Sequence, residues 1–235
     1  LSVLFPFLII CSMEIFMRQM NYGSNTALFV NFDSSYYQLN QQQGRKYFPK
    51  LAQVPTPNFQ LLKKAKEPGS LRIFVFGGST TAGYPYYHNL TFPNLLRKKI
   101  ETSLPDSMDI EIVNFSMAAV NLYTVIDQLE ESFEYSPDFI LLYSGHNEYY
   151  GADGAAGSSS FMNLPRFFYF LRKFYFFQFL EKIMTAKSIE ENKTLMNRMS
   201  QEKQIPKYTD IYQEGVEQYM KNLTSIADKC QEKNV

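Results

Sequence analysis

Ser79 stands directly behind two glycines in the run Arg72–Gly83, RIFVFGGSTTAG. Arg72 to Phe76 is rich in bulky and β-branched side chains, the composition of a buried strand. Gly77 and Gly78 permit a sharp turn at its carboxyl end, where a Cβ would crowd the backbone. Thr80 and Thr81 can cap a helix start. A hydroxyl held at a strand-to-helix turn is exposed, with backbone N–H groups pointing towards it, which is how a serine nucleophile is presented. A plain Gly-Gly-Ser turn is the competing reading. A phosphate loop is disfavoured, because neither G-x-x-x-x-G-K-[ST] nor G-x-G-x-x-G is present and no lysine meets phosphate charge.

Two further segments bear on the serine. Ile110–Phe115 (IEIVNF) is strand-like and leads into the small residues Ser116, Ala118 and Ala119. Asp138–Tyr143 (DFILLY) is a third such run and leads into Ser144-Gly145-His146-Asn147-Glu148. Helix-period segments, Phe92–Leu104 and about Leu122–Phe133, separate them. Strands alternating with helices of that length predict right-handed crossovers and a parallel sheet. The three strand-end loops then share one carboxyl edge, where ligands bind.

Those loops carry a recognisable pattern. GGST at Gly77–Thr80, NFSMAA at Asn114–Ala119 and GHNE at Gly145–Glu148 resemble, in order and strand context, the first three blocks of the SGNH/GDSL hydrolases. The likeness covers about Leu71 to Val235 and is nearest to the membrane-anchored bacterial branch. It implies Ser79 as nucleophile, with its own N–H as one oxyanion donor. Ala119 stands where the family places a glycine whose N–H is the second donor, and the Asn147 amide is the third. Gly78, Thr80, His146, Glu148 and His88 are candidate pocket residues. Glu148 replaces the family's usual aspartate and could orient the loop.

The family's acid and base sit in a late D-x-x-H block, and this sequence has no such block. Its two histidines are His88 and His146. His146 reads as a wall of the site and His88 as part of the pocket rim, rather than as the base. Tyr212, Val216, Tyr219, Met220, Leu223, Ile226, Ala227 and Cys230 mark the apolar face of a closing helix. Val235 reads as the first residue of a next strand, so the expectation is a chain cut before its catalytic histidine. Without a base, a serine hydroxyl is a poor nucleophile at neutral pH.

The remaining sequence bounds the context. Leu1–Met13 (LSVLFPFLIICSM) is uncharged and almost wholly apolar, too short to cross a bilayer, which takes about 20 residues. It reads as the tail of a signal-anchor helix, with a cleaved signal peptide or a buried amphipathic helix as alternatives. Basic and acidic residues balance at 23 each, which gives no nucleic-acid footprint. Cys11 and Cys230 are not expected to pair and offer no zinc spacing, so no structural metal is expected, and the resemblance implies no cofactor. Asn21–Ser70 carries turn and linker signals, but Tyr36-Tyr37 and Tyr47-Phe48 imply an arm that packs onto the domain. Gly151–Ser160 (GADGAAGSSS) reads as a lid or a plain surface linker. Leu164–Ile183 is a helix apolar on most faces, either buried beneath the arm or resting on a membrane surface.

The resulting expectation is an α/β, flavodoxin-like three-layer sandwich with a parallel sheet, truncated before its last strands. Residues 1–20 form an anchor, 21–70 an extracytoplasmic arm, and 71–235 an incomplete SGNH hydrolase-like domain. The resemblance implies a membrane-anchored serine esterase or acylhydrolase on the periplasmic or cell-surface side, acting on a small-molecule or glycan ester. Acyl transfer to, or deacetylation of, a cell-envelope polysaccharide is the second reading, and a non-catalytic esterase-like fragment the third.

Overall fold

Successive side chains of a strand face opposite sides of a sheet, and in β4 (Leu71–Gly77) both sides are buried from Arg72 onwards. The computed structural model describes residues 4–86, 88–103, 109–145, 147–152, 164–185 and 205–235. In it β4 is the middle of a three-stranded parallel sheet. β5 (Ile110–Asn114) pairs on one side, from Leu71↔Ile110 to Val75↔Asn114. β6 (Phe139–Tyr143) pairs on the other, from Ile73↔Phe139 to Gly77↔Tyr143. The order β5-β4-β6 places the first of these strands between the second and third. The winding direction therefore reverses between β4 and β6, and the crevice at their carboxyl ends is where such sheets take ligands.

Helices cover both faces. Ile73, Val75 and Ile112 pack towards Leu96 and Ile100 of α4 (Phe92–Glu101). Phe74, Phe76, Val113 and Phe115 pack on the opposite side against α5 (Leu122–Ser132) and α8 (Asp210–Lys233). Phe76 stacks on Phe115 at 4.8 Å between ring centroids. Caps set the helix starts: the Thr91 hydroxyl accepts the Asn94 N–H, and the Asn121 side chain accepts the Tyr123 N–H. The face of α8 differs from its apolar stripe. Gly215, Asn222 and Ile226 are buried, whereas Val216, Met220 and Ala227 are exposed. The Tyr149 ring lies so close that a Cβ on residue 215 would come within 2.1 Å of it, so the helix turns its glycine inward.

The arm is built structure rather than linker alone. β1 (Phe29–Asn31), β2 (Tyr36–Leu39) and β3 (Leu61–Lys63) form an antiparallel sheet in that order. Leu28, Phe29, Leu39 and Leu62 enter the same core as Phe74 and Phe115. Lys46, in α2 (Gly44–Tyr47), is buried and ion-pairs with Asp127 of α5, with Glu131 3.8 Å away. Burial raises the Tyr47 phenol well above its ordinary value, helped by the Asp127 carboxylate that accepts its hydrogen bond. Arg72, equally buried, binds Glu111 at 2.6 Å and the carbonyls of Tyr135 and Lys63. Each buried cation is paired, which lets a charged residue join a core.

The segment Leu164–Ile183 is two helices, not one: α6 (Pro165–Leu171) and α7 (Tyr175–Thr185). Between them Arg172 turns inward to Glu181 at 2.7 Å and to the Lys46 carbonyl at 3.0 Å. Of the glycine-rich loop, Gly151 and Ala152 are described; residues 153–160 lie outside the described residues. At the amino end, α1 (Leu4–Gln19) lies along α7. Among the described residues no helix is long and apolar enough to cross a membrane. Cys11 and Cys230 are both free.

Candidate active site

Ser79 opens α3 (Ser79–Ala82) with Gly78 as its N-cap, at the carboxyl end of β4. Two close approaches explain the glycine pair. A Cβ on residue 77 would lie 2.4 Å from the Tyr143 carbonyl oxygen, and one on residue 78 would lie 2.6 Å from Asn147 Nδ2. The turn after β4 thus folds tightly onto the loop after β6. Gly78, Ser79 and Thr80 share a small cleft with Tyr143, Ser144, Gly145 and Asn147, with a cavity volume of about 10 Å³, room for about one water molecule. The cleft lies at the reversal point between β4 and β6. Ser79 is partly exposed there, and its N–H, at the first helical position, lies ahead of the helix's own hydrogen bonds.

Hydrogen bonds fix the loops to one another. The Asn147 amide donates to the Val120 carbonyl at 2.9 Å, and the Asn121 amide donates to the Ala152 carbonyl at 2.7 Å. The Ala152 N–H returns to the Ala119 carbonyl at 3.0 Å. On the other side the Asn114 amide donates to the Thr81 carbonyl at 2.8 Å, and Asn58 donates to the Ala82 carbonyl at 3.1 Å. The Gln60 side chain pairs with both the N–H and the C=O of Asn114, extending the edge of β5 as a strand would. Donors held this way need no reorganisation when charge develops nearby.

Asn147 is buried, and its amide has two N–H groups, of which the Val120 carbonyl takes one. Ala119 does not line the cleft. It is 2% exposed and holds φ +57°, the left-handed region that favours glycine. It stands one residue before the carbonyl that anchors Asn147. Glu148 is buried behind the cleft and accepts from the Leu122 N–H at 3.2 Å and the Ser144 hydroxyl at 3.2 Å. Burial pushes its carboxyl above the ordinary glutamate value, opposed by those two donors. Its contacts are those of a residue that ties the cleft wall to the start of α5.

His146 and the side chain of His88 lie outside the described residues; the backbone of His88 opens a 3-10 turn, His88–Leu90, that leads to α4. Two residues of the cleft escaped the sequence reading as site residues: Tyr143 and Ser144. Their position at the end of the third strand was the available signal. Among the described residues no cluster of His, Cys, Asp and Glu is placed to hold a metal ion. No family model matches the chain, and no curated protein matches it.

Proposed function

We propose that this chain carries the nucleophile and oxyanion site of a serine hydrolase of the SGNH/GDSL type, acting on ester bonds. The observation that carries the reading is the shared cleft of Ser79 and Asn147 at the reversal point of the sheet. In this mechanism Ser79 Oγ bonds to the ester carbonyl carbon while its proton passes to the histidine base that the resemblance implies, which is neither His88 nor His146. The carbonyl oxygen becomes an oxyanion and accepts from the Ser79 N–H and from the second N–H of Asn147, while Ala119, buried outside the cleft, precedes the Val120 carbonyl that anchors that amide. Collapse expels the alcohol, which takes the proton back from the base and leaves an acyl-serine. Water, activated by the same base, then releases the acid.

One observation favours acyl transfer to, or deacetylation of, a polysaccharide as the second reading. A groove beside α3 is bordered by Asn58, Asn89, Asn94 and Arg97, groups suited to sugar hydroxyls. Attachment to a membrane through residues 1–20, with the site on the extracytoplasmic side, belongs to the same proposal.

The test is turnover of short p-nitrophenyl esters by two proteins: the 235-residue chain and the gene product read to its own stop codon. The expected result is little turnover by the former and turnover that depends on Ser79 by the latter. Undiminished turnover by a Ser79→Ala variant overturns the assignment.

A further inference from the structure

Among the described residues, α1 and α7 present an extended exposed apolar surface. Along α1, Leu4, Phe5, Phe7, Leu8, Ile9 and Ile10 are between 48% and 67% exposed. Leu180, Ile183 and Met184 of α7 are also exposed. The two helices are locked together by specific contacts: the Phe176 N–H donates to Glu14 at 2.8 Å, and Arg18 lies 4.6 Å over the Tyr175 ring. Tyr22 meets Phe179 edge-on at 5.4 Å. This is a built face, and large apolar side chains grouped in this way mark an interaction surface.

Where α1 ends, at Asn21–Gly23, the surface changes from apolar to cationic. A cavity there is bordered by Tyr22, Arg45, Lys50 and Lys182. Its inner wall includes Arg172, whose charge is already met by Glu181. Arg45, Lys50 and Lys182 are exposed, and none has a carboxylate partner among the described residues. Lys182 sits 5.5 Å over the Tyr22 ring. An apolar face bordered by three exposed cations suits a helix pair lying in a membrane interface, apolar side chains towards the acyl chains and cations at the phosphates.

We propose that α1 and α7 insert together into one leaflet of a bilayer, and that the Arg45–Lys50–Lys182 cavity holds the phosphate of an anionic phospholipid headgroup. The inference rests on the membrane attachment proposed above but not on the chemistry at Ser79. A chain that binds vesicles without cleaving esters separates the two.

The chain contains no tryptophan, so one substitution supplies a unique reporter. The full chain, diluted from detergent onto vesicles of phosphatidylcholine with or without phosphatidylglycerol, carries Ile183→Trp or, as a control, Tyr86→Trp at an exposed site after β4. Emission from the Ile183→Trp protein shifts to the blue and is quenched by lipids brominated in their acyl chains, while the control is unquenched. Combined Arg45→Gln, Lys50→Gln and Lys182→Gln substitutions, all at exposed positions, weaken binding to the anionic vesicles by about 10²-fold. Binding to pure phosphatidylcholine is unchanged. Three results overturn the proposal: no quenching of Ile183→Trp, parental affinity of the triple variant for anionic vesicles, or a dimer that excludes vesicles.

Discussion

Gly78 and Asn147 stand so close that a side chain on the first would press into the amide of the second, with a Cβ 2.6 Å from Nδ2. The amide is thereby wedged between the turn that presents Ser79 and the Val120 carbonyl. Gly78→Ala displaces it and Asn147→Ala removes it. Both variants of the complete gene product lose about 10²–10³ in kcat with a smaller change in KM, because the amide acts on charge that develops in the transition state. Asn147→Ala also loses about 1–3 kcal/mol of stability through the orphaned Val120 carbonyl. Kinetics well below both unfolding transitions separate the two effects. A kcat loss of tenfold or less in Asn147→Ala rules out the donor role.

Glu148 makes stability depend on pH. Burial raises its carboxyl above the ordinary 4.5, against the Leu122 N–H and the Ser144 hydroxyl. The folded state therefore keeps the proton to a higher pH than the unfolded chain. Its contribution falls as pH climbs from the unfolded value through the raised folded value, and the loss is complete above that. In Glu148→Gln the amide oxygen still accepts from Leu122, but this slope is gone. Relative to the parent, the variant gains stability in urea titrations as pH rises from the ordinary glutamate value through the raised folded value. Parallel stability curves for the two proteins contradict the account.

Lys46 tests whether the arm belongs to the fold. Its ammonium is buried against Asp127 and near Glu131. Lys46→Met leaves both carboxylates without their buried cation and costs about 3–5 kcal/mol. Adding Asp127→Asn, which can still accept from the Tyr47 hydroxyl, recovers part of that loss. Chemical denaturation of the three proteins measures it. A loss below about 1 kcal/mol is the behaviour of a surface pair on a loosely attached arm.

The parallel sheet was legible in the sequence because β4, β5 and β6 are apolar runs separated by helix-length segments. The position of Ser79 followed from the glycines at the end of β4. The arm's sheet was not legible, since strands of three or four residues are too short to show a period and depend on partners distant in the chain. Nor was the interior position of Lys46, which composition assigns to the surface and which Asp127 holds inside. The inward turn of Gly215 on α8 was hidden for a related reason, since its partner is Tyr149 in another loop. The break at Arg172 within an apolar run likewise needed Glu181 and the Lys46 carbonyl.

The nucleophile assignment is tested most directly by a fluorophosphonate probe on the complete gene product, with the labelled peptide identified by mass spectrometry. The account predicts one adduct, on the Ser79 hydroxyl, absent from Ser79→Ala and weakened in Asn147→Ala. An adduct on Ser144 or any other residue, or labelling that persists in Ser79→Ala, would contradict it.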